Sequence, residues 1–325
     1  MRRSVGSRVS VMCAGALLLA TAASPVAAQQ NDPGEQGLAA AVKKAAMAAA
    51  AESVAVSAAE PQAAPAAPAK PNTGNITLTS NLDVLAKTPY IYRGLVQESH
   101  PKLTLWPSGD LGIAVFSGGA GGLKAVNINT GIWNSLQTGS SGLDGPRARL
   151  HYEEDYYATL TLGFSGHINL ATTYTAYTSP SLMFGTTHEI LFKVSSATKY
   201  APYIILAQEL SGGGDAGPNK GTYVELGVGP SWPLAEGKAT VAVPVKIGLS
   251  ARNYYEHPVT GADSRFGFFD VGVLLTIPLS GVPAPFGSWN VHVGGDGLVF
   301  GETTRYFNSG GKAKGVFLFG IGLTY

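Results

Sequence analysis

From about Thr77 to the end of the chain, bulky apolar positions alternate with small or polar ones. Leu111, Ile113 and Val115 alternate with Gly112, Ala114 and Phe116. Ala158, Leu160, Leu162 and Phe164 face away from Tyr157, Thr159, Thr161 and Gly163. Val241, Val243, Val245, Ile247 and Leu249 oppose Ala242, Pro244, Lys246, Gly248 and Ser250. A side-chain period of two belongs to strands, and a long series of such runs excludes loop. Turn-forming clusters separate the runs: Ser108-Gly109-Asp110, Gly118 to Gly122, Asn219-Lys220-Gly221 and Ser309-Gly310-Gly311. Runs begin near residues 77, 99, 111, 124, 151, 166, 184, 199, 221, 239, 265, 288 and 313. Treating 99 and 111 as one strand bent at Pro107 leaves an even number, about 12 in a range of roughly 10–14.

The face opposite Val, Ile and Leu carries mostly Gly, Ala, Ser, Thr and Asn with scattered charges. A soluble sandwich puts charges on its outer surface. A wall between lipid and a lumen has one bulky apolar face and one small or polar face. In the last run, Phe317, Phe319, Ile321, Leu323 and Tyr325 share one side, against Val316, Leu318, Gly320, Gly322 and Thr324. Aromatic pairs near run ends (Tyr90 and Tyr92, Tyr156 and Tyr157, Tyr174 and Tyr177, Tyr200 and Tyr203, Tyr254 and Tyr255, Tyr306 with Tyr325, and Trp289) suit interface girdles. The predicted fold class is all-β: a closed antiparallel transmembrane β-barrel over residues 75–325.

Composition supports this. Charged residues make up 13% of the chain, against about 25% in ordinary soluble domains. Glycine is abundant, at 42 of 325 residues, which fits tight turns and small inward positions. Cys13 is the sole cysteine, so disulfide staples and thiolate metal sites are excluded. Arg2, Arg3 and Arg8 precede an apolar run, and Pro25-Val26-Ala27-Ala28 ends in small residues. Residues 1–28 therefore read as a signal peptide, and bacterial outer-membrane localisation follows. Three of the 22 basic residues precede Ala28 and none of the 21 acidic ones do, leaving 19 basic residues. That near-neutral balance gives no footprint for nucleic acid. Residues 29–74 are rich in alanine and proline and read as a flexible periplasmic segment, partly helical at most.

The last strand resembles the carboxy-terminal assembly signal of bacterial outer-membrane β-barrel proteins. Tyr90-Ile91-Tyr92-Arg93-Gly94, Gly131-Ile132-Trp133-Asn134-Ser135 and Tyr152-Glu153-Glu154-Asp155-Tyr156 resemble a broad group of uncharacterised barrels. The resemblance implies outer-membrane lipids and the barrel assembly machinery as partners, and no activity. A homo-oligomer is left open.

Candidate chemistry is sparse. Parity places Lys193, Glu209, Glu225, Lys246, Asp270 and His292 inward, as a lumen charge network. Glu153 and Asp155 share a face, to be paired internally with Arg93, Arg147 or Arg149, or to hold a divalent cation through hard oxygens. Tyr156, Tyr174, Trp289 and Tyr325 mark the membrane interface. No P-loop, His-Glu-x-x-His or Gly-x-Ser-x-Gly motif is present. No metal or cofactor is expected. A barrel-embedded hydrolase has candidates by type only: Ser165, Ser195, His167, His188 and Asn169. The reading is a narrow passive channel for small solutes. The alternative is a non-conducting structural or adhesion barrel that presents the loops at 137–146 and 256–264.

Overall fold

The computed structural model describes residues 74–118, 121–141, 150–211 and 219–325. The readings on residues 1–73, and those on Arg147 and Arg149, lie outside the described residues. Twelve antiparallel strands close on themselves. They are β1 (Ile76–Ala86), β2 (Leu103–Ser117), β3 (Leu123–Gln137), β4 (His151–Phe164), β5 (Ile168–Thr178), β6 (Thr187–Ser196) and β7 (Tyr203–Ser211), followed by β8 (Thr222–Val228, continued by Ser231–Leu234), β9 (Ala239–Ala242 and Val245–Arg252), β10 (Phe266–Pro278), β11 (Ser288–Phe300) and β12 (Ala313–Thr324). Each pairs with its chain neighbour, and β1 also pairs with β12, Thr79 opposite Thr324 and Val84 opposite Phe319. Closure satisfies every strand edge, which a backbone in lipid requires.

Prolines explain the irregularities. β2 runs through Pro107, and its ladder to β3 skips Trp106 and Pro107, because proline has no N–H to give. Ser108-Gly109-Asp110, expected as a turn, lies inside that strand and pairs in turn with Asn81, Ser80 and Thr79 of β1. Turn chemistry there is overridden by two flanking ladders. Pro230 and Pro244 interrupt β8 and β9 without changing their register.

Large apolar side chains point outward around the wall. Ile76, Val115, Ile128, Ile204, Val273, Phe317 and Phe319 are all exposed, the last at 47%. In a closed sheet this outward band is the lipid-facing belt, and the protein is an outer-membrane-type barrel. Among the described residues no helix is long and apolar enough to cross a membrane. The two chain-terminal strand ends lie at the end of the barrel that carries the short turns, such as 165–167, which is the periplasmic end. The longer connections, at 87–102, 179–186, 253–265 and 301–312, lie at the other end.

The connection 87–102 does not stay outside. It carries a small hairpin, Ile91–Tyr92 paired with Leu95–Val96, whose residues Tyr92 to Leu95 are buried. Around it lie two apolar clusters within the barrel. One gathers Leu85, Tyr90, Tyr92, Trp106, Trp133, Tyr152, Tyr177 and Phe184. The other gathers Leu191, Tyr223, Tyr254, Tyr255, Phe268, Leu298 and Phe300 with their neighbours. Tyr90, Tyr92, Tyr177, Tyr254 and Tyr255 are thus inside, at 1% exposure or less, not in the girdles that their positions near strand ends suggested. Alternation cannot say which loops fold back into a lumen. Tyr156, Tyr174 and Tyr325 are exposed, and Trp289 is half-buried, its Nε1 donating to the Phe286 carbonyl at 2.8 Å.

Candidate functional site

The tip of the inner hairpin is Arg93-Gly94, with φ of 41° and 84°. Two positive φ values in a two-residue loop are the signature of a type I′ turn, whose twist suits a hairpin. Glycine meets this freely, and a Cβ at Gly94 would press on the Phe268 ring at 3.1 Å. Arginine meets it at a cost of roughly 1–2 kcal/mol, so its surroundings must hold it there.

They do so on every side. The Arg93 guanidinium makes a two-pronged contact with Glu189 of β6: Nη1 donates to Oε2 at 2.7 Å and Nη2 to Oε1 at 2.9 Å. Nη1 also donates to the Tyr254 hydroxyl at 2.9 Å. Tyr177 of β5 donates to Glu189 Oε1 at 3.0 Å. The guanidinium carbon lies 4.2 Å from the centre of the Tyr223 ring and 4.8 Å from that of Tyr92, within reach of cation–π attraction. The Arg93 carbonyl accepts from the Tyr255 hydroxyl at 2.9 Å. Beside the turn, Asn308, next to the short helix α1 (Glu302–Phe307), donates to the Gly94 carbonyl at 2.7 Å and accepts from the Val96 N–H at 2.9 Å. Both charged partners are almost completely enclosed, at 2% and 1% side-chain exposure. Burial works against the guanidinium's charge, and the Glu189 carboxylate outweighs it, holding Arg93 well above its ordinary value. A planar fork meeting a carboxylate in this way is something lysine cannot reproduce.

Toward the periplasmic end the lumen opens into a cavity of about 580 Å³. Ile91, Arg93 and Gly94 contribute to its wall, together with Thr79, Asn81 and Thr324 from β1 and β12. Its charged lining includes Asp83, Lys193, Glu225, Lys246, Asp270, His292 and Asp296. Lys246 Nζ lies 3.3 Å from Asp270 Oδ2. Glu225 accepts from the Tyr203 hydroxyl at 2.8 Å and from that of Tyr223. Lys193 sits 4.7 Å over the Tyr203 ring. His292 Nε2 meets Asp83 Oδ1 at 2.5 Å, and its Nδ1 lies 3.1 Å from Asn290 Oδ1. Glu209 is buried and accepts from the Gly221 N–H at 2.6 Å. Of the six residues placed inward by parity, Lys193, Glu225, Lys246, Asp270 and His292 line this cavity and Glu209 is buried outside its lining. They stand in separate groups: Lys246 with Asp270, Glu225 with tyrosines, His292 with Asp83.

Glu153 and Asp155 are buried on β4. Arg93 turns to Glu189 and not to them, which corrects the pairing expected for it; the hairpin tip reaches the opposite neighbour of β5. No hydrogen-bond partner among the described residues stands against any of the four carboxyl oxygens. Among the described residues no group of three His, Cys, Asp or Glu could hold a metal ion. Ser165 and His167 lie exposed at the turn between β4 and β5, where no carboxylate among the described residues orients them. His188 takes a hydrogen-bonded contact of 2.7 Å from the Tyr174 hydroxyl. Glu189, Tyr223 and Asp83 were missed as site residues from sequence, and Tyr177 and Tyr254 were placed in the girdles. Parity does place Glu189 on the Lys193 face of β6, so the wall half of the Arg93 seat was readable; its occupant was not.

No protein-family model matches this sequence, and no curated protein matches it. Solved structures do resemble its form. The NanC porin is 10% identical over 76% of this chain and 98% of its own, with a TM-score of 0.36. The outer membrane phospholipase A from Escherichia coli is 9% identical over 77% and 92%, with a TM-score of 0.39. The translocator domain of the autotransporter NalP from Neisseria meningitidis is 12% identical over 78% and 89%, with a TM-score of 0.37. Likeness this distant leaves activity to be argued from the chain's own residues.

Proposed function

We propose that this barrel is a narrow passive channel for small polar solutes, closed at its outer mouth by segment 87–102 in the form described. The observation that carries this reading is the cavity of about 580 Å³ behind the hairpin. Its lining mixes apolar side chains with polar and charged ones that come from strands all round the wall. A scaffold gains nothing from keeping carboxylates and lysines on an inner surface, because desolvating them costs free energy that apolar packing would not. A water-filled path needs such a lining. The exposed apolar face of β12, with Phe317 and Phe319 outward, supports recognition by the barrel assembly machinery and residence in outer-membrane lipid.

The second reading, a non-conducting barrel that presents its outer loops to a partner, is favoured by the apolar clusters packed around the hairpin. Liposome swelling separates the two. Vesicles carrying the full chain should swell slowly in small sugars or amino acids, and faster when residues 89–97 are replaced by a short Gly-Ser linker. A folded linker variant that leaves vesicles as tight as protein-free ones would remove the channel reading.

A further inference from the structure

The wall of this barrel is far more acidic inside than the whole chain's balance suggests. Among the described residues, Glu153, Asp155, Glu189, Glu209, Glu225 and Asp270 of the strands are all buried, and Arg93 is the one buried basic residue. Arg93 belongs to the hairpin and not to the wall. Lys193, Lys246 and His292 are only partly enclosed on the same inner surface. Withdrawing the hairpin would leave Glu189 facing the lumen with its cation removed.

The seat itself is built mainly by the wall. Glu189, its supporting donor Tyr177 and the Tyr223 face come from β6, β5 and β8, and Tyr254 comes from the outer connection after β9. This arrangement recognises a guanidinium as such: a carboxylate fork in its plane, a hydroxyl acceptor at its edge and an aromatic ring over its face. Apart from Tyr92, which the hairpin itself supplies, these groups belong to other parts of the chain than the segment that carries the guanidinium. The attachment is moreover unfavourable, because Arg93 holds a left-handed backbone conformation that its side chain disfavours.

We propose that the Arg93 seat is a binding site for small guanidinium-bearing solutes, filled in the closed barrel by a side chain of the protein's own. Resting on the channel reading, this gives the solute class and a reason for closure. The hairpin shuts the lumen by supplying the cation that the wall requires, and an incoming guanidinium replaces that cation when the hairpin leaves.

The test uses the full chain refolded in detergent, as Arg93→Gly and as Arg93→Gly with Glu189→Gln, with ethylguanidinium as the probe. Arg93→Gly should lose its compact, heat-modifiable gel band at a lower temperature than the natural protein. Millimolar ethylguanidinium should return the band toward the natural midpoint, and should do nothing for the double variant. If Arg93→Gly does not fold, refolding in the presence of ethylguanidinium asks the same question, and recovery of the compact band is expected. In planar bilayers under a guanidinium chloride gradient, Arg93→Gly should give a reversal potential of cation sign that weakens in the double variant. A merely structural seat would be stabilised by the probe without moving that potential. Absence of any ethylguanidinium effect, an equal effect in the double variant, or a chloride-sign potential would overturn the proposal while leaving the channel. Stabilisation by ethylguanidinium with silent bilayers would keep the seat and remove the channel.

Discussion

At the scale of single residues, the closed form of the barrel turns on Arg93 and Glu189. Removing one partner of an enclosed ion pair leaves the other uncompensated, at a cost of about 3–5 kcal/mol. Glu189→Gln should therefore lower the temperature at which the folded band is lost, and Arg93→Met with Glu189→Met should recover part of the loss. An unchanged midpoint in Glu189→Gln would mean that the pair is solvated. Glu98, beside the hairpin, gives a pH dependence. Burial pushes its carboxyl above the ordinary 4.5, partly offset by the hydroxyl of Thr104, which donates at 2.7 Å. From 4.5 up to the raised value, the unfolded chain has released a proton that the folded one still holds. Stability attributable to Glu98 therefore falls as pH rises through that window. Glu98→Gln should flatten the pH profile of thermal stability just above pH 4.5; an unaltered profile would contradict the assignment. The parity of β6 already places Glu189 inward in the sequence. Its partner was hidden because the two residues lie 96 positions apart and Tyr254 lies 161 from Arg93; no local pattern spans such separations.

At the scale of elements, aromatic rings lie across glycines on neighbouring strands. Tyr157 covers Gly131, Tyr203 covers Gly227 and Phe268 covers Gly248, each pair directly opposite in the ladder. The glycine gives the ring a place to lie flat on the wall. At Gly248 a methyl group would land on the Phe268 ring, which also packs against Gly94 of the hairpin. Gly248→Ala should cost about 1–3 kcal/mol and loosen the hairpin as well, read as a lower melting midpoint together with faster protease cleavage within 87–102. Normal stability in that variant would show that the ring has room to move. Strand order was legible in the alternation, whereas the number twelve came from the even-parity rule, which merged two of thirteen runs within a range of roughly 10–14; the structure has twelve. The inner hairpin was not legible. Ile91–Tyr92 and Leu95–Val96 are two-residue strands, too short for a period to register. The girdle assignment failed for a related reason: a tyrosine near a strand end has the same sequence signature whether it faces lipid headgroups or an inserted loop.

At the scale of the whole molecule, an outward apolar belt and an inner cavity that carries charged side chains make a membrane wall with a lumen, and the hairpin decides whether that lumen conducts. Single-channel recording in planar bilayers tests this most directly, comparing the full chain with a folded variant in which a short Gly-Ser linker replaces residues 89–97. The full chain should be silent or show rare, small steps, and the variant should show frequent steps of larger conductance. Equal silence from both proteins, with folding verified by the heat-modifiable band, would contradict a lumen held shut by its own loop.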